Sequence, residues 1–172
     1  PRYGIVLGSG LGSLVEGVTD AVRLSYADIP GFPVSAVSGH AGELVAGKIG
    51  GVPVIVLSGR VHYYERGDAN AMRTPIETLK ALGVETLILT NSAGSLRDDL
   101  PPGSVMMITD HINFSGESPL IGVDSDARFV GLTAAYDAEL ADAIRAAAVK
   151  LDIPLGSGVY MWFSGPNFET PA

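Results

Sequence analysis

Cysteine is absent from this 172-residue chain, so disulfides and thiolate metal sites are excluded from the start. Charge is sparse at 17%, and positive charge is the scarcer kind: 11 Lys plus Arg against 19 Asp plus Glu leave a formal net charge of -8. That balance argues against general nucleic-acid or anionic-membrane binding, while leaving room for a small anion site focused by a few donors. No apolar run is long enough to span a bilayer, and no segment has the form of a secretory signal. A cytoplasmic protein with neither nucleic-acid nor membrane partners is the expectation. Histidine is limited to His40, His62 and His111; no pair has the helix-face spacing of metal ligands, and no metal site is expected. His111 is expected to order a loop beside Asp110.

What is abundant is apolar surface. At 47% hydrophobic residues the chain can bury a core, and a single domain over residues 1–172 is expected. Both ends read as cut. The chain opens at Pro1-Arg2 almost directly on a strand, and it stops at Thr170-Pro171, an N-cap and first-turn signature, so the domain is expected to be truncated at both ends.

Val-, Ile- and Leu-rich runs alternate with helical patterns, which predicts an α/β fold with helices flanking the sheet. Strands are expected at 3–7, 43–49, 52–57, 84–90, 104–109 and 158–163. Gly50-Gly51 between two of them reads as a two-residue hairpin turn, which makes the central sheet mixed. Thr74-Pro75-Ile76-Glu77 has the spacing of a capping box, with Gly83 closing that helix. A second helix is expected over 137–151, capped by Asp137, with Leu140, Ile144, Ala147, Ala148 and Leu151 on one face. Residues 114–131 form one long irregular stretch, a length associated with function or mobility.

The chemistry concentrates in turns that follow strands. Gly8-Ser9-Gly10-Leu11-Gly12 follows the first strand; its glycines allow backbone N–H groups to converge on an oxyanion, and Ser9 adds a hydroxyl. No Gly-Lys-Ser/Thr follows, as a nucleotide P-loop requires, and the third glycine of a dinucleotide fingerprint would fall at Ser13. Asp20 and Asp28 are poorly placed to hold a cofactor ribose, which weakens an oxidoreductase reading. Further clusters follow later strands: Gly59-Arg60-Val61-His62, Asn91-Ser92-Ala93-Gly94 and Gly165-Pro166-Asn167-Phe168-Glu169. Turns at the carboxyl ends of strands are where α/β sheets gather ligands. Four of them offer Ser9, Arg60, His62, Asn91 and Glu169, an inventory suited to an anion plus a heterocycle. Asn91 is also a turn-capping residue type, and Glu169 a favourable charge before a helix N-terminus. Tyr63 and Tyr64, if extended, point to opposite sides.

Gly8-Ser9-Gly10-Leu11-Gly12, Pro30-Gly31-Phe32-Pro33, Gly39-His40-Ala41-Gly42, Gly59-Arg60-Val61-His62-Tyr63-Tyr64-Glu65, Thr90-Asn91-Ser92-Ala93-Gly94, Asp110-His111-Ile112-Asn113 and Gly165-Pro166-Asn167-Phe168-Glu169-Thr170 stand in one order along nearly the whole chain. In that order they resemble the signatures of the trimeric purine nucleoside phosphorylases. The resemblance implies a three-layer nucleoside phosphorylase-like architecture and phosphorolysis of purine nucleosides or deoxynucleosides to free base and pentose 1-phosphate. Inorganic phosphate is then a co-substrate, and no metal or organic cofactor is implied.

Carried over by position, the resemblance makes Ser9, Arg60, His62, His40 and the backbone of Ser92 phosphate binders and Tyr64 a ribose contact. Phe168, Glu169 and Ser92 face the base. Phe129 matches an aromatic residue that reaches a neighbouring subunit's site, which implies a homotrimer. His62, Asn91 and Glu169 are the catalytic candidates, Glu169 through base recognition rather than as a general acid. Ser92 and Ser95 stand where relatives often have Ala and Gly. Methylthioadenosine or xanthosine phosphorolysis, and a non-catalytic nucleoside- or phosphate-binding protein, are the alternatives.

Overall fold

The computed structural model describes residues 1–34 and 42–171. The fold is mixed α/β, and the chain divides into two compact units, Pro1–Ser92 and Ala93–Ala172.

In the first unit, β1 (Tyr3–Leu7), β2 (Thr19–Ser25), β3 (Glu43–Ile49), β4 (Val52–Ser58) and β5 (Thr86–Leu89) form one sheet in the order β2-β3-β4-β1-β5. β1 runs parallel to both β4 and β5, whereas β3 is antiparallel to both β2 and β4. The antiparallel step is made by the Gly50-Gly51 turn, with φ of +56° and +82°. A two-residue turn of this hand needs positive φ at both positions, which glycine adopts without steric cost. It sets Ile49 opposite Val52 and Leu44 opposite Leu57.

β4 is buried on both faces, which explains its unbroken apolar run. Val54 and Val56 pack with Leu7, Val15, Val18 and Val45 on one side; Ile55 and Leu57 pack with Val6, Tyr26, Phe32, Leu44 and Leu79 on the other. A 3-10 turn, Gly12–Gly17, supplies Val15 to the first cluster. Helix α1 (Tyr63–Arg66) follows β4, and helix α2 (Arg73–Ala81) delivers Leu79 to the second cluster, with Met72 and Ile76 at its margin. Full burial of a leucine such as Leu57 or Leu79 contributes about 2 kcal/mol.

β2 and α2 depart from the sequence reading. β2 was not expected; every one of its residues is exposed, and Asp20 at φ +52° accompanies a bulge between Thr19 and Val22. With Val22 and Leu24 facing outward, the strand carries no burial pattern to reveal it. Helix α2 begins one residue before Thr74, at Arg73, with Met72 in the cap position and no side-chain cap. The Thr74–Glu77 capping box therefore does not form, because Thr74 already lies inside the helix. Gly83, at φ +85°, does stand at the helix exit.

In the second unit, β6 (Val105–Asn113) and β7 (Leu155–Trp162) pair in parallel. Parallel neighbours need a long crossover, here helix α3 (Ala138–Lys150), whose first turn is capped by Asp137 Oδ1 accepting from the Leu140 N–H at 2.9 Å. No residue of α3 is buried, and Leu140, Ile144 and Leu151 lie exposed. Arg97 ties the entry of this unit to β7: its guanidinium donates to both Asp99 carboxylate oxygens and, at 2.6 Å, to the Ser157 carbonyl. The fork holds the Asp99 carboxyl below its ordinary range. Between β6 and α3 the only helical turn among the described residues is Asp126–Arg128, so 114–131 is irregular as expected. Among the described residues no helix is long and apolar enough to cross a membrane.

His111 is not in a loop. It lies within β6, with Nδ1 3.0 Å from the Tyr136 hydroxyl. The motif 110–113 extends the strand four residues past its expected end.

Candidate active site

Parallel pairing of β4, β1 and β5 sends all three chains out of the sheet at one rim. Register fixes their proximity: Leu7 lies opposite Ser58, and Val6 opposite Leu89. The segments beginning at Gly8, Gly59 and Thr90 therefore leave side by side, the arrangement that creates a ligand crevice at the carboxyl ends of strands.

Residues 8–11 form a turn closed by the Leu11 N–H donating to the Gly8 carbonyl at 3.2 Å, with Gly10 at φ +81°. Ser9 is at the tip. Gly8 is glycine for a different reason: a Cβ there would lie 2.5 Å from the Thr90 carbonyl oxygen and 2.7 Å from Asn91 Cα. Side-chain hydrogen bonds join these two turns. The Gly8 N–H donates to Thr90 Oγ1 at 3.0 Å, and the Ser92 hydroxyl donates to the Ser9 carbonyl at 2.7 Å.

The third chain is anchored from below. Gly59, at φ +106°, accepts at its carbonyl a 2.9 Å bond from the buried Tyr26 hydroxyl. Burial raises the Tyr26 phenol above its ordinary pKa, so it remains a donor. Val61 is buried, and Arg60 and His62 flank it. Arg60 donates from one guanidinium nitrogen to the Thr90 carbonyl at 2.6 Å, which ties its side chain to the segment leaving β5. His62 stacks on Tyr64 with centroids 4.8 Å apart and planes 10° from parallel. The His62 backbone N–H donates to Glu65 Oε1 at 2.7 Å at the start of α1. Tyr63 and Tyr64 are thus helical neighbours, about 100° apart around the axis, and not alternating residues of an extended chain.

Ser9, Arg60, His62, Tyr64, Asn91 and Ser92 accordingly belong to one unit, on the segments leaving one rim. Asn91 donates from its side chain to the Ser92 carbonyl at 3.2 Å and is exposed or half-buried with its neighbours. His40 lies outside the described residues. Phe129, Phe168 and Glu169 belong to the second unit. Phe129 is 74% exposed, with the Arg128 guanidinium 4.9 Å from its ring centroid; Phe168 is 90% exposed. Both are large apolar side chains presented outward. Residues 163–171 carry no regular element; they begin where β6 and β7 end together, with the Ser164 N–H on Ser115 Oγ at 2.9 Å.

Two residues that hold this rim together, Tyr26 and Thr90, were given no role by sequence reasoning, although Thr90 opens one of the quoted motifs. Thr90 offered a faint signal, a hydroxyl closing an apolar strand. Tyr26 offered none, because its contact with Gly59 spans 33 positions and exists only through strand register.

The chain belongs to the phosphorylase superfamily, which it matches over residues 2–172. It is 48% identical to purine nucleoside phosphorylase 1 of Bacillus subtilis, in an alignment covering 100% of this chain and 65% of that protein. With purine nucleoside phosphorylase 1 of Geobacillus stearothermophilus the identity is 44%, covering 100% of this chain and 64% of that one. The crystal structure of Schistosoma mansoni purine nucleoside phosphorylase in complex with adenosine superposes with a TM-score of 0.89 at 38% identity, covering 99% of this chain and 63% of that one. The chain thus spans just under two thirds of the length of these relatives.

Proposed function

We propose that the intact protein is a purine nucleoside phosphorylase, joining inorganic phosphate to C1′ of a purine nucleoside and releasing the base. The observation that carries this reading is the meeting of three turns at the rim of β4, β1 and β5, with Ser9 and Arg60 upon them. Relatives named as purine nucleoside phosphorylases at up to 48% identity support it, as does the likeness to a purine nucleoside phosphorylase crystallised with ribose-1-phosphate.

The reaction makes one bond and breaks one. A phosphate oxygen forms the C–O bond at C1′; the C1′–N bond breaks, its electron pair leaves with the purine, and the ring takes up, directly or through solvent, the proton that hydrogen phosphate gives up on becoming the ester. Positive charge builds on the sugar while negative charge builds on the base, so a dianion beneath C1′ and a hydrogen-bonding clamp on the purine both lower the barrier. Arg60 offers a planar fork of donors, and Ser9 with the N–H groups of its turn completes the cradle without further net charge. Holding phosphate in line replaces an encounter in solution by an intramolecular step, where effective molarities reach ~10⁵ M or more.

In this reading His62, the Ser92 backbone and His40 join the phosphate end, and Tyr64, stacked on His62, meets the ribose. Phe168, Glu169 and Ser92 take the purine, with His62, Asn91 and Glu169 as the catalytic group. Phe129 completes the pocket of a neighbouring subunit in a homotrimer. The protein acts in the cytoplasm, without metal or organic cofactor.

Inosine supplied with and without phosphate tests this reading. Hypoxanthine release that requires phosphate, with one ribose 1-phosphate per base, is expected, and activity should fall as the protein is diluted to monomers. Release independent of phosphate would mark a hydrolase, and binding without release a non-catalytic protein; either outcome contradicts the proposal. A fully active monomer would remove Phe129 from the pocket.

A further inference from the structure

We infer that Thr90 is a positioning residue that sets the geometry of the anion cradle; this rests on the functional reading above and assigns a role to a side chain outside the proposed contacts. Thr90 follows the last residue of β5 and is half-buried. Its hydroxyl has one proton to give and lone pairs to receive, and both capacities are used. It donates to the Val6 carbonyl at 3.0 Å and accepts from the Gly8 N–H at 3.0 Å. Its backbone N–H reaches the same Val6 carbonyl at 3.1 Å. Its carbonyl oxygen receives the Arg60 guanidinium at 2.6 Å and is the atom that a Cβ on Gly8 would strike. One residue therefore touches the chain leaving β1 and the chain leaving β4 while standing on the chain leaving β5.

The geometry has a direct consequence for anion binding. Gly8 is the first residue beyond β1, and its N–H is oriented by the Thr90 hydroxyl. Ser9 follows in the same turn, so the angle of the Gly8 peptide sets where the Ser9 hydroxyl and the next N–H groups converge. On the other side, the Thr90 carbonyl aligns the guanidinium of Arg60. Thr90 thus holds the neutral and the cationic donors at a fixed separation without touching the anion.

Thr90→Val keeps the β-branched shape, which favours extended backbone, and removes only the hydroxyl. The buried Gly8 N–H then faces a methyl group and has no partner there, so the peptide turns and the donors of its turn lose their common focus; losing about one hydrogen bond to the anion is about tenfold in binding. In the intact protein, the phosphate Kd by calorimetry and the phosphate KM should both rise about tenfold, with the nucleoside KM little changed and the melting temperature lowered by the unpaired Gly8 N–H. Thr90→Ser restores the hydroxyl and should recover most of the affinity. A purely structural role would instead affect phosphate and nucleoside alike. Should the valine variant not fold, Thr90→Ala carries the same expectation. Wild-type phosphate affinity in the valine or alanine variant, or a serine variant as weak as valine, overturns the inference. A wild type that binds phosphate without phosphorolysis refutes the functional reading while the calorimetric comparison still decides the role of Thr90. A wild type that binds no phosphate overturns both.

Discussion

Replacing Arg60 with alanine should raise the phosphate KM of the intact protein by about a hundredfold or more, with much less change in nucleoside binding. The expectation follows from charge. The chain as a whole carries a net charge of -8, so its overall field repels a dianion and attraction must come from donors close to the site. Residues 8–12, 59–64 and 90–95 contain no lysine or arginine besides Arg60. Ser9 and the backbone N–H groups contribute dipoles, and a charged donor to a charged acceptor is roughly twice as strong as a neutral pair. Because Arg60 is already held by the Thr90 carbonyl at 2.6 Å, little side-chain entropy is lost when phosphate arrives. Lysine would keep the charge but forfeit the fork, so Arg60→Lys should fall between wild type and alanine. Unchanged phosphate kinetics in the alanine variant would remove Arg60 from the site.

The second large effect concerns the other end of the substrate. Glu169→Gln should lower kcat/KM for inosine by about a hundredfold or more, while the phosphate KM moves little. A carboxylate presents two acceptor oxygens to the N–H edge of a 6-oxopurine, whereas glutamine presents one acceptor and an NH₂ group that opposes a donor on the ring. As the glycosidic bond breaks, negative charge accumulates on the purine, and the hydrogen-bonding pattern at its edge determines how that charge is accommodated. A mismatch there is costlier in the transition state than in the ground state, so kcat should fall together with kcat/KM. An unaltered inosine rate would refute the assignment of Glu169 to base recognition.

Much of the fold was legible in the sequence, for identifiable reasons. β1 and β3 have the bounds that the sequence reading assigned them, and β4 differs by one residue, because these strands are buried and their apolar runs are broken by glycine turns. Asp137 caps α3 because a short acidic side chain can accept from the third N–H of a helix. In the sheet of the first unit, where burial is missing, so is the signal. β2 is exposed throughout, and β5 shrinks to four residues, Thr86–Leu89, three of them exposed. Thr74 fitted a capping pattern, but Arg73 and Met72 extended the helix backward past it.

The candidate site was legible one segment at a time. The glycine-rich turn and the Arg60 cluster each announced a polar bend after a strand. Their adjacency required the parallel register of β1 with β4 and β5, a long-range property that local pattern does not encode. The residues that join the turns are correspondingly the ones overlooked. Tyr26 reads as a core aromatic and Thr90 as a strand terminus until the sheet brings them against Gly59 and Gly8.

The most direct test of the shared rim is a crystal structure of the intact protein grown with inorganic phosphate. A tetrahedral anion within hydrogen-bonding distance of both the Ser9 hydroxyl and the Arg60 guanidinium, at the carboxyl ends of β1, β4 and β5, is the result expected. An anion bound elsewhere, with Ser9 and Arg60 both left without it, would contradict the account.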